Sequence, residues 1–194
     1  KDEGTRQIGL ENQRIENDVD MVLYYARMEK VYKDYMIEET DLGKAASEIL
    51  MKNKYYLISN GVRGEVECPY FVYTDKKWIL FILNQLMLNS VKYKSENPKV
   101  HPYIRIYTER YGHGVRLIVE DNGTGIREEE MSRIFEKGFT GSNGRNGKKS
   151  TGMGLYLCRR LCEKLGIAIE AESVRGEGTK MILTFPVSSY LSKM

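Results

Sequence analysis

Two alternating segments set back to back constrain this chain more than any other feature. Between His101 and Arg110, Ile104, Ile106 and Thr108 fall on one side of an extended strand, and Tyr103, Arg105 and Tyr107 fall on the other. Val115, Leu117 and Val119 repeat the alternation after Tyr111-Gly112-His113-Gly114. Such a pair is a β-hairpin with one face to bury. A hairpin cannot bury that face alone, so the chain must supply a covering layer.

Helical segments supply it. Asp41 is placed as an N-cap before Leu42 to about Tyr56, with Leu42, Ala45, Ala46, Ile49 and Leu50 at helical spacing. Asp75 caps a second helix from Lys76 to about Tyr93, rich in Trp78, Leu80, Phe81, Ile82, Leu83, Leu86 and Leu88. A third runs from about Gly152 to Leu165 and stops at Gly166. Between them, Asp34 to Glu39 is a link or short strand, Val62–Glu67 and Phe71–Tyr73 are short strands, and Arg127–Phe135 is a short helix. Ile167–Ser173 and Thr179–Phe185 close the chain as strands around Arg175-Gly176-Glu177-Gly178. This mixed order predicts α+β: one sheet covered on one face by helices.

Residues 1–33 differ in kind. Thr5 to Val31 reads as one helix in which Ile8, Ile15 and Val22 recur at seven, with Val19 and Ala26 in a second row. That narrow seam suits a partner helix. The alternative is an ordinary helix on its own domain's core. The expected division is therefore a partial helical hairpin at 1–33 and a domain at 34–194.

A net charge of +3, from 30 basic and 27 acidic residues, gives no argument for a nucleic-acid partner. No apolar run is long enough to span a bilayer. Cys158 and Cys162 lie one helical turn apart and read as small buried residues rather than metal ligands.

Three segments carry chemistry. In Asp121-Asn122-Gly123-Thr124-Gly125-Ile126, a carboxylate at a strand end can accept a hydrogen bond from an adenine amine. The two glycines would let backbone approach a flat base; an Asx turn is the plainer alternative. Lys149-Ser150-Thr151-Gly152-Met153-Gly154-Leu155 opens a helix, whose free N–H groups and dipole suit phosphate oxygens. It is not a P-loop, since no Gly-Lys-Ser/Thr follows at the needed spacing. Gln85, Asn89 and Lys92 share one helix face beside Tyr93, and an amide oxygen there can ligate magnesium; a solvated stripe is the alternative. From Lys137 to Lys149 there are four basic residues and no acid among many glycines, a composition that suits a lid over a triphosphate or a plain surface loop.

In order, NQLMLNSVKY, DNGTGI, IFEKGFTG, STGMGLYL and GEGTKMILTFP resemble the asparagine box, first glycine box, phenylalanine box, second glycine box and terminal strand of sensor histidine kinases. FEKGFTG followed by KKSTGMGLYLC is similar to the subgroup that works with peptide-antibiotic transporters. The resemblance implies a Bergerat-type ATP fold, a two-layer sandwich of mixed sheet and helices. It implies ATP and magnesium as ligands, with Asn89 on the metal, Lys92 on phosphate and Tyr93 lining the pocket. Asp121 would bind the adenine amine, Gly123 and Gly125 would shape its pocket beside Ile126, and Thr179 would lie near the base. Lys137, Phe139, Thr140 and Gly141 would contact the nucleotide at the start of a lid over about Gly138 to Lys149, and Lys149, Ser150, Thr151, Gly152, Met153, Gly154 and Leu155 would sit at the phosphates. Gln85 departs from the family's Asn or acid; it cannot be a strong base, so positioning is the expected role. The first helix would be the second helix of a dimerisation and phosphoacceptor hairpin. The parent would be a membrane sensor with this part in the cytoplasm, partnered by its own dimer mate and a response regulator. His101 and His113 lack the acceptor's sequence context.

Overall fold

The computed structural model describes residues 35–141 and 151–186, together with eleven positions between Gly4 and Leu23. The chain divides into two compact units, Lys1–Tyr35 and Met36–Met194. In the first, all eleven described positions between Gly4 and Leu23 are helical, and Ile8, Ile15, Val19 and Val22 are exposed. Ala26 and the rest of the expected lead helix lie outside the described residues, as do Lys149, Ser150 and most of the expected lid.

The second unit opens with β1 (Glu38–Asp41), a short strand that starts later than the link or short strand expected over Asp34–Glu39, and α1 (Leu42–Lys52). The Asp41 carboxylate accepts from Lys44 N at 2.9 Å, which satisfies one free amide of the first turn. Leu42, Ala45, Ala46 and Ile49 form the buried stripe. The helix expected to reach Tyr56 breaks instead at Asn53, and α2 (Lys54–Ser59) follows. Asn53 is fully buried, and its Nδ2 donates to Ile49 O at 2.9 Å and to Asn84 Oδ1 at 2.8 Å. A side chain that bonds the backbone locally competes with the helical ladder, so the helix ends there.

β2 (Arg63–Glu67) and β3 (Phe71–Thr74) lead into α3 (Lys76–Lys92). Asp75 caps α3 through Lys77 N at 3.0 Å and also accepts from Met36 N at 3.0 Å. Trp78, Ile79, Phe81, Ile82, Leu83, Leu86, Met87 and Val91 are buried around nearly the whole circumference. That pattern marks a central helix. α3 packs between α1 and α5 (Gly154–Leu165) and over the sheet. Each such side chain contributes about 1.5–3 kcal/mol on burial, so α3 is fixed in place by its apolar half.

β4 (Tyr103–Tyr111) and β5 (Gly114–Asp121) form the expected hairpin, with Ile104 and Ile106 fully buried. β6 (Ala168–Val174) and β7 (Gly178–Phe185) complete a mixed sheet in the order β2-β4-β5-β7-β6, parallel only between β2 and β4. β3 is not part of it: β3 pairs with β1 in a separate two-stranded sheet. The expected single sheet is thus two, because β1 and β3 are each only four residues long and satisfy one another. The helix expected over Arg127–Phe135 is the single turn α4 (Glu128–Met131), followed by turns. Three consecutive glutamates favour a helix start but bury nothing that would prolong it.

On the sheet face away from Ile104 and Ile106, one row crosses all five strands as Glu65, Arg105, Glu120, Lys180 and Glu172. The charges alternate, and opposite charges directly across a ladder favour the register by roughly 0.2–1 kcal/mol per pair. Among the described residues no helix is long and apolar enough to cross a membrane.

Candidate nucleotide site

The polar C-terminal half of α3 meets two loops. At its end, Tyr93 O accepts from Thr124 N at 2.9 Å, which fixes the loop after β5 to the helix. One turn earlier, Ser90 Oγ donates to Asp121 Oδ2 at 2.7 Å. Two turns from the end, Gln85 is buried beneath the start of α5: a Cβ added at Gly154 would lie 3.0 Å from Gln85 Oε1. Asn89 and Lys92, on the Gln85 face, are half-buried, and Lys92 Nζ stands 5.5 Å from the centre of the Tyr93 ring.

Asp121 is the last residue of β5 and pairs with Thr179 of β7. Its Oδ1 accepts from Gly123 N at 2.9 Å. Burial pushes its pKa up, the bonds from Ser90 and Gly123 and the nearby Thr179 N–H pull it down, and Glu120 adds a smaller push upward. An ionised carboxylate has about four lone-pair positions, so the two donors Ser90 Oγ and Gly123 N leave capacity for another.

The glycines of this loop do something other than expected. A Cβ at Gly123 would run into Tyr93 O, and one at Gly125, where φ is +64°, would run into Val174 O. A Cβ at Gly178 would meet Asp121 O. The space they leave is filled by this chain's own backbone, not held open for a flat base. Gly176 N donates to Thr124 O at 2.9 Å, so the β6–β7 turn closes against the same loop.

Two groups that sequence reasoning missed lie here. Ser90 is one; Ser173 is the other. Ser173 Oγ accepts from Ile126 N at 2.9 Å, donates to Gly178 O at 2.8 Å, and lies 2.9 Å from Thr179 Oγ1. A serine inside an apolar helix or at a strand end carries no periodic signal, so neither stood out.

At the other end, Gly138 N donates to Gly152 O at 3.0 Å, and Gly152, at φ +65°, packs on the Gly138 backbone. Thr151 Oγ1 accepts from Met153 N at 3.3 Å just before α5. Met153 and Leu155 are half-buried. Phe139 lies under the Arg133 guanidinium at 4.7 Å, Gly141 lies by the Glu130 carboxylate, Thr140 is half-buried and Lys137 is exposed. Gln85, Asn89, Lys92, Tyr93, Asp121, Ile126, Gly152, Gly154 and Thr179 therefore sit on elements joined through α3. The Lys137–Gly141 segment reaches them through Gly138 and Gly152. No group of three or more His, Cys, Asp or Glu among the described residues could hold a metal. Cys158 and Cys162 are buried, and burial raises both thiols. His101 and His113 are exposed.

The sequence pattern described as "Histidine kinase-, DNA gyrase B-, and HSP90-like ATPase" matches residues 74–189. The chain belongs to this ATPase family. That span begins one residue before the Asp75 cap of α3 and runs past β7, so it contains the whole site. Among curated relatives, sensor histidine kinase GraS of Staphylococcus haemolyticus is 36% identical over 98% of this chain and 55% of its own length. Sensor protein kinase GraS of Staphylococcus aureus is 35% identical over 91% of this chain and 50% of its own. The chain thus spans about half the length of the curated relatives it matches. Of solved structures, full-length ShkA in complex with AMPPNP aligns over 87% of this chain and 35% of its own, with TM-score 0.73 and 20% identity. The catalytic domain of histidine kinase ThkA aligns over 82% of this chain and 99% of its own, with TM-score 0.66 and 24% identity. ThkA in complex with response regulator TrrA aligns with TM-score 0.66 and 23% identity over 100% of this chain and 52% of its own. These structures share the fold. Within the ATPase family, the chain carries the ATP-binding catalytic domain of a sensor histidine kinase.

Proposed function

We propose that this domain binds ATP with magnesium and places the γ-phosphate for transfer to a histidine on a helical hairpin, of which residues 1–33 form the second helix. The observation that carries it is the convergence on α3. One helix touches the carboxylate loop through Ser90 and Tyr93 and the α5 start through Gln85.

The donor set fits the ligands. Asp121 offers a half-buried acceptor for the 6-amine of adenine. Asn89 offers a neutral amide oxygen to a magnesium ion that arrives with the nucleotide. Magnesium keeps waters and phosphate oxygens as its other ligands, which suits a site with no carboxylate cluster among the described residues. Lys92 supplies positive charge to the phosphates, and Gly152 and Gly154 bring the amides of the α5 start close to them. Phosphoryl transfer depends mainly on position and charge: the acceptor nitrogen bonds phosphorus as the bond to the bridging oxygen breaks and ADP leaves. Gln85 is a neutral amide, so its part is to orient, not to accept the proton.

Parent and partners follow from the same proposal. The parent is a membrane-anchored sensor with this domain in the cytoplasm. It dimerises through the hairpin and passes the phosphoryl group to a response regulator; the motif wording favours a peptide-antibiotic transporter as sensory partner. The test is incubation with labelled ATP and magnesium, of this chain alone and of the longer parent. We expect acid-labile label on the parent and none on this chain. Stoichiometric acid-labile label on this chain alone, or none on the parent, would contradict the assignment.

A further inference from the structure

We propose that Ser90 is a positioning residue that sets purine selectivity by fixing how Asp121 meets the base. The proposal rests on Asp121 being the acceptor for the adenine amine.

Ser90 is buried on α3, next in sequence to Asn89. Neighbouring helical positions point about 100° apart. Asn89 therefore faces the phosphate side of the site while Ser90 turns toward the sheet and the end of β5. A buried serine in a helix interior ordinarily returns its hydroxyl to the carbonyl four residues back. Here Ser90 Oγ donates outward to Asp121 Oδ2 at 2.7 Å, across 31 positions of sequence. That is the length of a charge-assisted bond. On the other oxygen, Gly123 N donates to Oδ1 at 2.9 Å. The two donors fix the plane of the carboxylate.

This fixes recognition in four ways. With protein donors on both oxygens, Asp121 is held as an acceptor. The remaining lone-pair direction cannot swing, because rotation about its side chain would break the Ser90 or the Gly123 bond. The same helix then sets both ends of the nucleotide, Asn89 the metal and phosphates and Ser90 the base. A group that accepts rather than donates at the purine 6-position meets a lone pair and is rejected, the type of discrimination that a buried polar site gives most strongly.

Removal of the Ser90 hydroxyl leaves the apolar packing of α3 intact, and alanine is the better helix former. The experiment is calorimetry with magnesium on the wild type and on Ser90→Ala, Ser90→Thr and Ser90→Cys. Each is titrated with ATP and with purine riboside triphosphate, which lacks the 6-amine. We expect the wild type to prefer ATP by about tenfold or more. Ser90→Ala should cut that preference by about fivefold while its affinity for the amine-free nucleotide stays within about twofold of the wild type. Ser90→Thr, which keeps the hydroxyl, should restore the preference, and Ser90→Cys, a weak donor, should fall between. If Ser90→Ala does not fold, the Thr and Cys variants carry the test: equal preference in both overturns the proposal. Equal weakening of the two nucleotides in Ser90→Ala reveals a merely structural serine and overturns it too, as does an unchanged preference. A wild type that binds both nucleotides equally instead overturns Asp121 as the amine acceptor, and with it the premise.

Discussion

The base end and the phosphate end of this site are built differently, although the sequence marks both with glycines. Around Asp121, three glycines leave spaces that backbone oxygens of Tyr93, Val174 and Asp121 fill. The loop is locked to α3 and the β6–β7 turn by main-chain bonds. Around Gln85, by contrast, Gly154 faces only the end of a flexible side chain. A glycine in a Gly-x-Gly pattern can therefore carry either of two instructions. The base-end glycines permit the fold itself, as does Gly152 at φ +65° against the Gly138 backbone; Gly154 leaves room that the fold does not use.

Substitutions test that contrast. Gly125→Ala should be the most damaging, since it forces a side chain to φ +64° and into the Val174 carbonyl. We expect a loss of roughly 2–4 kcal/mol in urea unfolding; a loss below about 0.5 kcal/mol would mean that the base loop is not locked. Asn53→Ala comes next. It removes the buried bond to Asn84 Oδ1 beside the Gln85 end of α3 and should cost about 1–3 kcal/mol while leaving ATP over purine riboside triphosphate selectivity unchanged. Altered selectivity would show that the two ends are not separable. Gly154→Ala should change stability by less than about 1 kcal/mol, because Gln85 can turn aside and alanine favours the helix. Its effect should appear in phosphoryl transfer by the parent protein, measured with labelled ATP. Large unfolding in this variant would erase the contrast.

Much of the frame was legible. The β4–β5 hairpin followed from alternation, and α3 and α5 followed from caps at Asp75 and Gly166, because those signals are local. What stayed hidden depended on distant partners. The break at Asn53 needs Asn84, and the split of β3 from the main sheet needs β1. The purpose of Gly123 and Gly125 needs Tyr93 and Val174. Motif order placed Asp121, Asn89 and Gly154 in one site, but no local pattern shows that Ser90 and Ser173 hold it together. α4 was overestimated because its glutamates signal a helix start while no apolar face extends it.

The most direct test of the account is calorimetric titration of ATP with magnesium into the wild type and Asp121→Asn, with a melting curve of each. Asp121 is driven upward in pKa chiefly by burial. A carboxylate with a raised folded pKa is worth least to stability once pH exceeds that value, so at neutral pH its charge does not hold the fold together. We predict that Asp121→Asn melts within a few degrees of the wild type yet binds ATP about tenfold or more weakly, the loss of one charge-assisted bond. Wild-type affinity in the variant would contradict the central claim that this carboxylate reads the base.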